Sequence, residues 1–400
     1  MENSKLPQLC EDAQCTGCMA CVNSCNSGAL SVTTSKEGFY RPLLNEDKCV
    51  GCGLCQNACP VVNVPQKNKK EDLRVFAAWH NQALVRRSSS SGGVFTALAE
   101  LVLEKGGVVF GAAYTDDFQI IHIEIHDKNE LEKLCLSKYA QSKVGETMLN
   151  VRELLKEGKY VMFVGTPCQV AGLKSFLKKE YENLLAVDFI CHGVPSALFL
   201  QSWVKWIEGK YGKITGLNFR DKRKGWYDGM TVIRNANGKD KVLRGLDSGY
   251  MTAFNKNNCL QESCYECKAQ GFPRCSDMTI ADFWQIGQAV PFGHKDEIEK
   301  GVSMIVVNNP SKMDLVAELK GRAFIEERTV EEAISGNMAA VRSSHRPSSR
   351  DKIYTDLLSM NYDEFANQYL RGTRKQKLVK LFREYFPFSI IKFVRLSKQK

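Results

Sequence analysis

What this chain lacks narrows its reading first. It has no run of eighteen apolar residues, so no segment is built to cross a bilayer as a helix. No charged-then-apolar leader opens it; the first residues read MENSKLPQLC. That argues against a secreted disulfide framework, although the chain holds 16 cysteines. The expectation is a reducing, cytoplasmic compartment. Charge imbalance is also missing over most of the length. Net charge is +10, and residues 371–400 supply nine of it, setting ten Lys and Arg against Glu384 alone. The rest of the chain is close to neutral, so nucleic-acid binding by the body is not expected.

Cysteine, by contrast, is abundant and ordered. Cys15, Cys18, Cys21 and Cys25 form one run, and Cys49, Cys52, Cys55 and Cys59 another. Both read C-x2-C-x2-C-x3-C, and Pro60 follows the second. This is the spacing of a ferredoxin module with two [4Fe–4S] clusters. Three thiolates on a tight loop grip three corners of one cubane, and the fourth cysteine serves the other cluster. Cluster 1 is therefore expected on Cys15, Cys18, Cys21 and Cys59, and cluster 2 on Cys25, Cys49, Cys52 and Cys55. Gly17, Ala20, Gly51, Gly53 and Ala58 let the backbone curl close to the metal. Asn26 follows Cys25 where a proline is usual, at a position that is not a ligand.

A length of 400 residues predicts two or three domains, and 44% hydrophobic content suits a sizeable core. The ferredoxin-like α+β module is expected over 1–63, with a hairpin of strands near 29–32 and 38–42. Residues 64–72 (VPQKNKKED) read as a solvated, extended linker. From 73 the pattern alternates strand and helix, with strands near 75–79, 106–114, 119–126, 160–164, 184–190, 280–283 and 304–307. Residues 311–337 read as helix, strand, helix. This predicts an α/β domain over 73–345. Residues 346–400 are expected to be a helical, basic C-terminal segment.

Several turns in the larger domain carry chemistry. The Ser-Gly stretch 88–93 enters a helix, where Ser91, Gly92, Gly93 and Thr96 offer N–H and hydroxyl donors to phosphate. Gly165, Thr166 and Pro167 follow a strand, the end at which open α/β sheets bind ligands. Lys138, Tyr139, Gln141 and Ser142 form a polar stretch with one aromatic. Cys10 and Cys135 read as ordinary free cysteines. Cys264 and Cys267 form a C-x2-C pair, and Cys168 and Cys191 each follow a predicted strand. These four thiols could converge on a third cluster; Cys259, Cys264, Cys267 and Cys275 are the rival set, and zinc the rival metal. Arg220, Lys222, Arg223 and Lys224 precede Trp226, a basic loop suited to an anionic small-molecule substrate. His192 is the candidate proton donor, and Asp282 a candidate cofactor anchor or helix cap. Residues 375–396 mix bases with Leu, Val, Ile and Phe around Pro387. Such an end can lie on the inner membrane face, dock to a partner, or pack on the body.

GGVFTAL (92–98), SKYAQS (137–142), FVGTPCQVAGLKSF (163–176), CHGVPS (191–196) and CYECKAQGFPRCSDMTIADFW (264–284) occur in this order. Together they resemble the coenzyme F420 hydrogenase/dehydrogenase beta-subunit family, over roughly residues 10–310. With the module in front and FRDKRKGW (219–226), the chain is most similar to the bacterial branch that carries an N-terminal two-cluster 4Fe-4S ferredoxin domain. The resemblance implies FAD on loops Ser91–Gly93, Lys138–Ser142 and Gly165–Pro167. It favours Cys168, Cys191, Cys264 and Cys267 as ligands of a third [4Fe–4S] cluster. The function it implies is an iron–sulfur flavoprotein oxidoreductase. Electrons would pass from a ferredoxin-like donor through the clusters to FAD and on to a bound substrate. The alternative is a beta-type electron-transfer subunit of a larger redox complex, without a substrate site of its own.

Overall fold

The computed structural model describes residues 6–243 and 249–371. The cysteine-rich start folds as two short helices, Ala20–Asn23 and Leu54–Asn57, each closing a cysteine loop. Between them lies an antiparallel hairpin of β1 (Leu30–Thr34) and β2 (Tyr40–Leu44).

The larger unit is built on a mixed sheet. Its strands are β3 (Arg74–His80), β4 (Val108–Tyr114), β5 (Ile120–Ile125), β6 (Val161–Val164) and β7 (Leu184–Phe189). A separate antiparallel sheet follows, made of β8 (Ile214–Asp221), β9 (Met230–Asn235) and β10 (Asp240–Val242). The chain then returns to the large sheet with β11 (Met278–Asp282), β12 (Ser303–Val307) and β13 (Ala323–Arg328). The eight-stranded order is β13-β3-β12-β11-β7-β6-β4-β5. β4, β6, β7 and β11 run parallel, and the strands outside them antiparallel.

The parallel strands are apolar on both faces because both faces are covered. Val109, Met162, Leu185 and Val187 pack under the helix Val94–Glu104. Phe110, Phe163 and Ala186 pack under the helices Thr147–Lys156 and Pro167–Leu177. A third core is aromatic: Trp203, Phe219, Tyr250, Tyr354 and Phe365 meet between the helix Ala197–Tyr211, the small sheet and the helix Arg350–Ser359. Helical residues up to Leu370 thus pack on the body. The stretch from 372 onward lies outside the described residues, and with it the membrane or partner contact expected of 371–400. Among the described residues no helix is long and apolar enough to cross a membrane.

The cysteine-rich module is bonded to the body at several points. Gln141 Oε1 accepts from the Tyr40 amide at 2.7 Å. Gln261 Nε2 and Ser263 Oγ donate to the Cys15 carbonyl. Arg350, with a side chain only 2% exposed, forks onto both oxygens of Glu37 at 2.7 Å. The connecting stretch is pinned at its middle, unlike the free linker expected. Asn68 donates from its backbone to Arg274, and from its side-chain amide to the carbonyls of Arg274 and Ser276.

Candidate redox site

The first thiol set is already assembled across the module. Cys10, Cys15, Cys18, Cys21 and Cys59 line one cavity of about 170 Å3, together with Gly17, Arg41 and Pro60. Cys59, 38 residues beyond Cys21 in sequence, is thus brought to the first run, as the crossed pairing expects. Burial pushes the Cys21 thiol up, and the neighbouring Cys18, Cys15 and Cys59 push it further. The second set is similarly crossed: burial raises the Cys55 thiol, with Cys25 and Cys52 adding to it. Cys52 is exposed, and Cys25 and Cys49 are half-buried, so this set faces the surface.

A third set forms at the carboxyl ends of the parallel strands. Cys168 opens the helix after β6, and Cys191 lies two residues beyond β7. Cys264 and Cys267 arrive from the loop before β11. Burial raises the Cys191 thiol to about 12, with Cys168 and Cys267 contributing. Burial also raises Cys264 strongly, with Cys191, Cys168 and Cys267 contributing. Gly193 permits this approach: its φ is +135°, and a Cβ there would meet Leu260 at 2.7 Å and the Cys264 Cβ at 3.3 Å.

The rival sequential set does not gather. Cys259 is fully buried in the aromatic core and lies near Arg350, where no other thiol adds to its shift. Cys275 has Asp188, Lys174 and Lys67 as charged neighbours, and none of the thiols contributes to its shift. Among the described residues, no three His, Cys, Asp or Glu side chains close on a single metal ion.

The first and third sets lie near each other. Cys18 feels the charge of Cys168. A Cβ at Gly172, one turn along the helix that Cys168 opens, would lie 2.9 Å from Cys18 Sγ. A cavity of about 270 Å3 also separates the module from the body here, lined by Thr16, Pro60, Lys67, Cys168, Arg274 and Cys275.

The three expected cofactor loops all lie at this end of the sheet. Gly92 packs against the Ala78 carbonyl, and its amide N–H donates to Ser303 Oγ at 2.8 Å. Gly93, at φ +91°, starts the helix Val94–Glu104. Ser91 Oγ donates to the Val302 carbonyl, and Ser90 bonds Ser137, joining the first loop to the second. Lys138 Nζ donates to the Cys135 carbonyl at 2.6 Å, and burial lowers its pKa to about 7. Tyr139 lies edge-on to Phe219 and Phe254. Gly165 continues β6, and Thr166 and Pro167 cap the next helix through a box with Gln169. Gln169 also donates to Ser142 at 2.9 Å, tying the second loop to the third.

Two expected donors are used elsewhere. Thr96 lies on the buried side of its helix, 3.6 Å from Cys135 Sγ. Gln141 is spent on docking the module through Tyr40.

The basic loop also departs from expectation. Trp226 is fully buried, stacks on Trp284 at 4.6 Å, and donates to Asp282 at 2.8 Å, so it is no open platform for a substrate. Lys222 Nζ caps the carbonyls of Arg86, Ser91 and Lys300, and burial lowers its pKa to about 7. Arg223 pairs with Asp221 and Asp240, and Lys224 is exposed. Arg220 alone turns toward the site. It bonds Asp282 at 3.2 Å and lies over Trp284. Asp282 therefore anchors Arg220 and Trp226. His192 lies against Phe254, ring centroids 4.9 Å apart, and burial lowers its pKa.

Three buried polar atoms near Tyr139 have no partner among the described residues: Tyr114 Oη, His192 Nε2 and Arg220 Nη2. Tyr139 influences both Tyr114 and Arg220, and Phe254 lies between its ring and His192.

Fold and site define an iron–sulfur protein built on a mixed α/β sheet. The family models agree. Residues 14–63 match the 4Fe-4S dicluster domain. Residues 75–148 match the N-terminal model of the coenzyme F420 hydrogenase/dehydrogenase beta subunit, and residues 158–333 its C-terminal model. The chain belongs to the coenzyme F420 hydrogenase/dehydrogenase beta-subunit family. Family membership makes it an iron–sulfur electron-transfer protein of the oxidoreductase class. No curated protein matches it. Among solved structures, a chain of the F420-reducing [NiFe] hydrogenase complex from Methanosarcina barkeri is 15% identical, with a TM-score of 0.43. That match covers 80% of this chain and 92% of the other.

Proposed function

We propose that this protein is an iron–sulfur flavoprotein that moves electrons between a ferredoxin-like partner and a bound substrate. The observation that carries the reading is the packing of Cys18 on Gly172, one turn beyond Cys168 in the same helix, which brings the first thiol set beside the third. Cys25, Cys49, Cys52 and Cys55 would hold the surface cluster, where a soluble donor or acceptor can approach. Cys15, Cys18, Cys21 and Cys59 would hold the middle cluster. Cys168, Cys191, Cys264 and Cys267 would hold the third, beside the cofactor loops. Burial favours the neutral thiols, and binding iron is what makes thiolates stable there.

FAD fits the loops on chemical grounds. Gly93, at φ +91°, starts the helix Val94–Glu104, whose first amides would meet a phosphate. Tyr114, His192 and Arg220 supply unsatisfied polar atoms to a ring or chain of polar atoms. FAD would supply exchange between one-electron carriers and two-electron chemistry. Arg220, held by Asp282, orients an anionic group, and His192 is placed to hold a proton. Lys222 fixes the Ser91 turn and does not meet the substrate.

The test is spectroscopic. Anaerobically purified protein should contain flavin absorbance that bleaches with reduced ferredoxin and returns with a small-molecule acceptor. Flavin-free protein that still carries all its iron would leave only the electron-transfer subunit.

A further inference from the structure

Cys10 has no place in the C-x2-C-x2-C-x3-C pattern, yet it lines the same cavity as the four thiols of the first set. Cys15 and Cys59 are its neighbours in that cavity, together with Cys18 and Cys21. This position is built. The Gln8 amide donates to Gln56 Oε1 at 3.1 Å, tying the preceding residues to the helix before Cys59. Leu9 packs against the apolar group of Cys21, Leu30 and Cys55. Five thiols therefore surround a space in which a cubane needs four.

We propose that Cys10 is a reserve ligand of cluster 1, able to take the iron corner of Cys59. This rests on the cluster-1 reading above. The exchange balances without any oxidant. The iron–sulfur bond to Cys59 breaks and one from iron to Cys10 forms, while the proton of the Cys10 thiol passes to the Cys59 sulfur. No electron is gained or lost. Both sulfurs line the one cavity, which gives that proton a short route. A cluster that can change one ligand survives the loss or oxidation of that ligand.

The test compares Cys59→Ala, Cys10→Ala, the double variant and Cys18→Ala. Each full-length chain is reconstituted anaerobically with iron and sulfide. Iron per chain and the electron paramagnetic resonance of the reduced protein are the readouts. Cys10→Ala should keep its full iron. Cys59→Ala should also keep it, with a shifted cluster-1 signal. The double variant should lose about four irons per chain, one cubane. Equal loss in Cys59→Ala and the double variant would overturn the proposal. Cys18→Ala separates the two readings, because it should lose cluster 1 whatever Cys10 does; full iron there would sink cluster 1 itself. If Cys59→Ala does not fold, Cys59→Ser replaces it. An all-thiolate signal in Cys59→Ser that disappears when Cys10 is also removed supports the exchange, and an oxygen-ligated signal unaffected by Cys10 refutes it.

Discussion

Gly172→Ala tests by its sign whether the body helix lies on the cysteine module. Gly172 is in the middle of the helix Pro167–Leu177. If that helix face were open, alanine would stabilise the chain by about 1 kcal/mol through helix propensity alone. The structure opposes this. The added Cβ would stand 2.9 Å from Cys18 Sγ and 3.1 Å from Cys18 Cβ. Ordinary contact between such atoms begins near ~3.5 Å, so helix and cysteine loop must part by about half an ångström. Overpacking of this kind costs about 1–3 kcal/mol. The net expectation is destabilisation by about 0–2 kcal/mol, with Cys18 displaced relative to its neighbours. Anaerobic urea unfolding of parent and variant measures the first effect, and the cluster signal in paramagnetic resonance the second. A variant more stable than the parent, with an unchanged spectrum, would refute the packing of this helix on Cys18.

Removing Glu37 takes the two-toothed partner from the buried Arg350 guanidinium and leaves it only the more distant Glu262 at 3.8 Å. A fully buried broken pair costs about 3–5 kcal/mol; Glu37 is 37% exposed, so Glu37→Gln should cost about 2 kcal/mol in denaturant unfolding. His122 stacks on Phe163 with its Nδ1 unpartnered, and burial lowers its pKa from 6.5 to about 4. The unfolded chain then binds the extra proton, so stability falls as pH drops from 6.5 toward 4. Between pH 7 and 5 the parent should lose about 2 kcal/mol that His122→Phe does not lose, as read from unfolding at both pH values. Cys25→Ser should damage the cluster on Cys49, Cys52 and Cys55; loss of the other cluster's resonance signal instead would overturn the crossed pairing.

The cysteine runs and the strand–helix alternation were legible because each has a short period. The spacing of Cys15 to Cys25 is set within one loop, and apolar runs such as 161–164 become buried parallel strands. The small sheet at 214–242 escaped the reading. Its strands alternate apolar residues with charges such as Arg220, Arg234 and Lys241, so the region read as a basic loop. Trp226 was misjudged for a related reason: its burial depends on Trp284 and Asp282, almost sixty residues away. Gln141 and Gln169 stood in motifs, but which partner each bonds is a tertiary fact. Cys10 read as an ordinary free cysteine because its neighbours in space, Cys15 and Cys59, arrive from two different runs.

The account rests on electrical continuity from the surface thiols through Cys168 to the cofactor loops. Rapid mixing of reduced ferredoxin with parent and Cys168→Ala proteins, both loaded with FAD, measures it directly. The parent should bleach at the flavin band. Cys168→Ala should reduce its two module clusters while its flavin band stays oxidised. Bleaching at the parent's rate in Cys168→Ala would contradict the series of three thiol sets.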